Sequence, residues 1–213
     1  MNVVRIDGLP PASVLADAAA CIRAGGTLIF PTDTVYGIGC AAEDGGAIDA
    51  VYASKRRPPD RPLSIHLGAV DDAARFAARL SAGARAVMRH FWPGSVTVIV
   101  ERAASRASAA ARNGGTIGLR FPDDPVYRAI VRATGPLAAT SANISGEAAF
   151  AGIGDPLESL PVATMAIIAG PTKALRESTV LDCAGERVRV LRAGATDPAL
   201  IREVLTGVAP VDI

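Results

Sequence analysis

Aromatic side chains are scarce in this sequence: five Phe, three Tyr and one Trp make up 4% of its 213 residues. Its core must therefore be built from small and aliphatic groups, with alanine supplying roughly a fifth of the chain. Cysteine is nearly absent too. Cys21, Cys40 and Cys183 are scattered, odd in number and without Cys-x-x-Cys spacing, which excludes a disulfide framework and a zinc site and points to a reducing cytoplasmic setting. No excess of one charge exists: 22 Lys and Arg face 21 Asp and Glu, for a formal charge of +1. No global field holds such a chain on nucleic acid or on an anionic membrane, so any bound anion has to be met by a local cluster. Apolar runs never approach the roughly 18 residues of a membrane span, and the N-terminal Met1 to Asp7 reads as a strand, so a soluble, unprocessed protein is expected. Also missing are the phosphate-loop pattern G-x-x-x-x-G-K-[ST], the dinucleotide pattern G-x-G-x-x-G, a G-x-S-x-G elbow and a histidine-rich metal site.

What is present alternates. Apolar positions at helical spacing predict helices over 12–24, around 47–52, and over 71–80, 84–91, 125–133 and 198–205. Strands are predicted over 27–30, 63–67, 96–100, 116–120, 137–140, 165–169, 179–182 and 188–191. No block repeats and no long linker divides the chain. The Ala/Arg/Ser-rich stretch from Arg102 to Gly115 reads as a mobile surface segment. The expectation is one α/β domain over residues 1–213, with a large twisted sheet, part parallel and part antiparallel, flanked by helices.

Four groups of residues could carry chemistry. The loop Pro31-Thr32-Asp33-Thr34-Val35-Tyr36-Gly37 follows a buried strand, where it offers hydroxyl and backbone donors or is simply a turn stabilised by Asp33 and Thr34. Lys55-Arg56-Arg57-Pro58-Pro59-Asp60-Arg61-Pro62 sets four cations on a proline-stiffened segment, suited to a compact polyphosphate, with a solvated loop or a nucleic-acid patch as alternatives. Ser141-Ala142-Asn143-Ile144-Ser145-Gly146 ends a strand in small polar residues that allow close approach to a phosphate or nucleotide. Arg120, Ser178 and Arg192 stand at strand ends, where isolated arginines are usually surface residues, while His66 falls inside a strand and His90 reads as structural.

These motifs, together with Trp92-Pro93-Gly94, Arg120-x-Pro122, Ser178-Thr179-Val180 and Arg192-x-Gly194, stand in the order of the YrdC/TsaC family, and the chain resembles it from about Gly25 to Gly194. The resemblance implies a YrdC-like fold with a motif-bearing core at 12–194. It also implies synthesis of threonylcarbamoyl-AMP from L-threonine, bicarbonate or carbon dioxide, and ATP, with release of pyrophosphate. Carried over by position, the family's threonine site is similar to Thr34, His66, Arg120, the backbone at Ala139, and Ser178. Its nucleotide site is similar to Lys55, Arg57, Arg61, Thr116, Ser141, Asn143 and Arg192, with Lys55 and Arg57 in the catalytic role before the phosphates. Mg²⁺ is expected to arrive on ATP, without a carboxylate cage of its own. The product is expected to pass to a tRNA threonylcarbamoyl-transferase complex. An RNA-binding module, with weak RNA affinity, and a carbamoyl-adenylate enzyme for another substrate are the alternatives. Ser95, Arg61 and Ala149 depart from the usual pattern: Ser95 changes packing, Arg61 adds a charge near the phosphates, and Ala149 removes a hydroxyl.

Overall fold

The computed structural model describes residues 1–212 except 105, 106, 108 and 113. The chain runs β1 (Asn2–Arg5), α1 (Ala12–Arg23), β2 (Leu28–Phe30), β3 (Gly37–Ala41), α2 (Gly45–Lys55) and β4 (Ser64–His66). It continues through α3 (Ala73–Phe76), β5 (Ala77–Arg79), α4 (Ala82–Phe91), β6 (Val96–Arg102), β7 (Thr116–Arg120), α5 (Pro125–Thr134) and β8 (Leu137–Ser141). The remainder is β9 (Met165–Ile168), β10 (Thr179–Asp182), β11 (Val188–Arg192), α6 (Pro198–Leu205) and β12 (Val211–Asp212). Side chains start four of the helices: Asp44, Ser81, Asp124 and Asp197 accept from backbone N–H groups of the first turns of α2, α4, α5 and α6.

All the strands join one mixed sheet in the order β1-β9-β2-β3-β8-β4-β7-β6-β10-β11-β12, with β5 paired to β6. The pairs β1/β9, β2/β9, β4/β7, β6/β10 and β11/β12 are parallel, and the remaining pairs are antiparallel. The expected mixed α/β sheet with flanking helices is therefore what the chain forms. Period-two alternation sends side chains to opposite faces. Ile29, Ile65, Val98, Leu119 and Leu181 pack with Ile48 and Val51 of α2 and Val87 of α4, whereas Leu28, Phe30, Leu137 and Met165 pack with Ala18 and Ile22 of α1 and Tyr127 and Ile130 of α5. Each such buried aliphatic side chain contributes about 1.5–3 kcal/mol to the folded state.

Two local expectations are corrected, and one strand goes unannounced in the sequence. Residues 71–80 do not form one helix: a 3₁₀ turn at Val70–Asp72 leads into the four-residue α3, and the chain then extends as β5 against Glu101 and Arg102 of β6. Sheet pairing and burial of Phe76 override the alanine-rich helical propensity there. Strand β3, Gly-Ile-Gly-Cys-Ala, has no β-branched run to announce it. Its glycines answer tertiary contacts, because a Cβ at Gly37 would lie 2.8 Å from the Phe30 ring and one at Gly39 2.8 Å from the Ala138 carbonyl oxygen. The segment from Arg102 to Gly115 includes residues outside the described set, but Ala107, Ala110 and Ala111 within it are buried core residues. The Leu63 N–H donates to the Ala110 carbonyl, and the Arg112 guanidinium lies 3.6 Å from the centre of the Tyr52 ring, so this part of the segment is packed against α2 and β4.

Candidate active site

Alternation also builds the site. Thr97 and Ile99 of β6, Thr116, Gly118 and Arg120 of β7, Ser64 and His66 of β4, and Ala139 and Ser141 of β8 are every second residue of neighbouring strands, and all line one cleft of about 850 Å³. Of the residues between them, Val98, Ile117, Leu119 and Ile65 belong to the opposite core, while Thr140 also reaches the cleft. The cleft wall is completed by the basic loop after α2, by Ser145 to Ala149, and by Leu175 to Ser178. Thr34, Lys55, Arg57, Arg61, Asn143, Ser178 and Arg192 also line this cleft, so every candidate site residue read from the sequence converges on it. Its volume falls in the range of about 300–1,000 Å³ usual for small-molecule sites.

Arg120 is not the surface arginine that its strand-end position suggests. Its side chain is 5% exposed and its Nη2 donates to Asp33 Oδ1 at 2.6 Å, while Nε donates to the Gly94 carbonyl at 3.3 Å. No described residue accepts from its Nη1, which leaves that edge of the guanidinium to the cleft. Burial lowers the Arg120 pKa, Asp33 opposes that shift, and Arg192 adds to it. His66, one strand away and paired with Arg120 across β4 and β7, is buried between the edges of Phe30 and Tyr127. Its Nδ1 has no partner, and burial together with Arg120 holds its pKa well below the ordinary histidine value. The ring is therefore a neutral wall group and a weak base.

Thr34 is wholly buried in the cleft floor. The Thr32 hydroxyl donates to the Val35 carbonyl at 2.6 Å, so it must accept from the Thr34 hydroxyl at 3.0 Å. Tyr36 fixes the next loop: its Oη donates to the Gly170 carbonyl at 2.7 Å and accepts from the Ala169 N–H at 2.9 Å. With Thr172 Oγ1 donating to the Thr34 carbonyl at 2.7 Å, these bonds hold the 170–178 segment beside the cleft. Ser178 Oγ stands 2.9 Å from Thr97 Oγ1 and accepts from Arg192 Nη2 at 3.2 Å. Arg192 also donates to the Ser178 carbonyl and, at 2.5 Å, to Glu177 Oε2.

Two of these side chains are engaged by the fold itself. Lys55 does not extend toward phosphates: it is 1% exposed, and its Nζ donates to the Ser141 carbonyl at 2.5 Å, to the Asn143 carbonyl, and to Asn143 Oδ1 at 3.1 Å. Three protons meet three acceptors, and none remains for a ligand. Burial, followed by the positive charge of Arg57, lowers its pKa to about 8, with Glu177 opposing. Asn143 is likewise saturated, because its amide group donates to the Ile144 and Glu147 carbonyls while Oδ1 accepts from Lys55 and Ser141. Arg57 braces its own loop through Nε to the Arg61 carbonyl and Nη2 to the Pro62 carbonyl, both at 2.9 Å. Arg61 is exposed, and its guanidinium has no partner among the described residues. Sequence reasoning missed Asp33, Thr97 and Glu177 as site residues. Only Asp33 carried a signal, its place between the two threonines of the first loop.

A family profile described as "Telomere recombination", Sua5/YciO/YrdC, matches residues 20–194. The chain belongs to the Sua5/YciO/YrdC family. A relative from Mycobacterium tuberculosis is 35% identical over 198 residues, covering 90% of this chain and 88% of its own, and its name assigns threonylcarbamoyl-AMP synthesis provisionally. The Bacillus subtilis threonylcarbamoyl-AMP synthase is 34% identical over 194 residues, and the match covers 90% of this chain and 56% of that protein. The crystal structure of Pyrococcus abyssi Sua5 complexed with L-threonine superimposes with a TM-score of 0.91 at 27% identity, covering all of this chain and 63% of the other. Within this family member no group of three or more His, Cys, Asp or Glu among the described residues could hold a metal ion, and no helix among them is long and apolar enough to cross a membrane.

Proposed function

We propose that this cleft makes L-threonylcarbamoyl-AMP from L-threonine, carbon dioxide or bicarbonate, and ATP, with residues 1–213 acting as one catalytic unit. The observation that carries the reading is the pairing of two anion sites in one 850 Å³ space. One is the buried Arg120, fixed from behind by Asp33 and open along Nη1, which suits a single carboxylate. The other is the cationic wall of Arg57, Arg61 and Arg192, which suits a chain of phosphates. A charge-assisted bond from Arg120 to the threonine carboxylate contributes about 1.5–3 kcal/mol. Ser178, the backbone at Ala139 and the neutral His66 then surround the rest of the amino acid, above the floor formed by Thr34. The L-threonine complex of the Pyrococcus relative and the synthase activity named for the Bacillus one support this assignment.

The reaction runs in two steps. The neutral threonine amine attacks carbon dioxide, forming the N–C bond and releasing a proton, and a carbamate oxygen then attacks the α-phosphorus of ATP as the bond to pyrophosphate breaks. In-line displacement needs positioning and charge neutralisation rather than a covalent nucleophile. The site fits that demand, since it offers placed guanidinium groups, and Cys40 and Cys183 are buried thiols raised to about 12. Mg²⁺ would arrive on the ATP phosphates, because no carboxylate cluster among the described residues offers it a cage. The product passes as a small molecule to the tRNA-modifying machinery.

Pyrophosphate release from ATP and bicarbonate, measured with and without L-threonine, tests the proposal. Threonine-dependent release is expected. Release that ignores threonine, or none despite intact ATP binding, overturns it.

A further inference from the structure

Ser141 has only one proton to give, and the structure decides where it lies. Its Oγ stands 2.6 Å from Asn143 Oδ1. The Asn143 amide cannot be turned round, because its nitrogen faces two carbonyls, Ile144 at 3.0 Å and Glu147 at 2.7 Å, and its oxygen faces the Lys55 ammonium at 3.1 Å. An amide oxygen cannot donate, so the Ser141 proton must lie between the two oxygens. Rotating it toward the cleft would set lone pairs against each other at 2.6 Å. The half-buried Ser141 Oγ thus presents lone pairs alone to the cleft.

A phosphate oxygen at neutral pH carries no proton and is repelled by such a group. A ligand atom that meets Ser141 must be an N–H or O–H donor. Ser141 is joined through Asn143 and Lys55 to the start of the basic loop that carries Arg57 and Arg61, so the donor belongs to the part of the nucleotide adjoining its phosphates. In ATP that is the ribose, which has two hydroxyls, whereas the adenine amine lies at the far end. Resting on the nucleotide reading above, we propose that Lys55 and Asn143 are positioning residues that lock Ser141 Oγ as an acceptor, and that Ser141 thereby reads a ribose hydroxyl. Lys55 and Asn143 shape nucleotide selection without touching the nucleotide.

The test pairs wild type and Ser141→Ala with ATP, 2′-deoxy-ATP and 3′-deoxy-ATP, reading KM and kcat for threonine-dependent pyrophosphate release and Kd by calorimetry. In wild type, loss of one hydroxyl should raise KM and Kd by about 3–10-fold, the range of one neutral hydrogen bond, with kcat less affected. In Ser141→Ala the same analogue should bind within about two-fold of ATP, because the bond is already absent. Lys55→Met, checked for folding by circular dichroism, should lose the discrimination as well, and Lys55→Arg should restore part of it. Inhibition by inorganic pyrophosphate should be unchanged in Ser141→Ala. Equal binding of all three nucleotides by wild type, full discrimination retained by either Ser141→Ala or Lys55→Met, or loss of pyrophosphate inhibition in Ser141→Ala overturns the proposal. The calorimetric arm needs no turnover. Discrimination without threonine-dependent release would sink the synthase reading and leave this one standing.

Discussion

Among the described residues, Asp33 and Arg120 form the one ion pair of the site whose side chains are both under 10% exposed, at 9% and 5%, with 2.6 Å between Oδ1 and Nη2. Removing one member leaves the other charged and buried, which typically destabilises a protein by about 3–5 kcal/mol. Removing both takes away the attraction and the desolvation together. Burial is the largest influence on Arg120 and lowers its pKa, with Asp33 opposing that shift. Asp33→Ala and Arg120→Met should therefore each lower stability by about 3–5 kcal/mol, and the double variant should fall at least about 2 kcal/mol short of their sum. With a urea m-value of about 3 kcal/mol/M, each single variant shifts the unfolding midpoint by roughly 1–1.7 M. Urea melts followed by circular dichroism measure all three. Both variants that lack Arg120 should also lose threonine dependence while still binding ATP. Strictly additive losses would refute the coupling, and a threonine KM unchanged in Arg120→Met would refute the carboxylate contact.

Two other consequences can be checked. Because the folded Lys55 pKa is lowered from 10.5 to about 8, the folded state holds fewer protons than the unfolded chain between those values. Stability from this residue rises with pH across that window, by about 3 kcal/mol at most. The lock on Ser141 meanwhile weakens, since a neutral amine has two protons for three acceptors. ATP affinity should decline as pH passes about 8 in wild type and not in Lys55→Met, with burial setting most of the midpoint, Arg57 adding to the shift and Glu177 opposing it; parallel profiles would refute the assignment. Gly194→Ala would place a Cβ 2.3 Å from the Ser178 carbonyl carbon and oxygen and 2.4 Å from the Glu177 carbonyl oxygen. Overpacking of that kind costs about 1–3 kcal/mol. Displacement of Ser178 and Arg192 should also cut kcat/KM at least tenfold, and an unchanged melt with unchanged kinetics would contradict the packing.

Residues whose signal is local are legible in the sequence. The Leu28–Phe30 strand, α4, α5 and α6 follow from periodicity with Asp or Ser at the helix starts, and they stand where that pattern puts them. The candidate site residues are legible as ordered motifs, and all of them line one cleft. What each does there is not. Lys55 and Asn143 read as ligand contacts because a lysine in a basic loop and an amide in a polar turn are usually free, and only the fold brings Ser141, Asn143 and Lys55 together across 88 positions of sequence. Asp33 reads as a turn former for a similar reason, since its partner Arg120 lies 87 residues away. Strand β3 and the break at Phe76 escape because their causes, the Phe30 ring and the edge of β6, are distant in the chain.

By itself the sequence determined the alternation of helix and strand, the small-residue core, and the need for placed cations in a chain of nearly balanced charge. Tertiary structure decided which cations remain free and which way each hydroxyl points. Periodicity and composition are properties of neighbouring residues, whereas a proton's acceptor is set by whatever atom the completed sheet brings within about 3 Å.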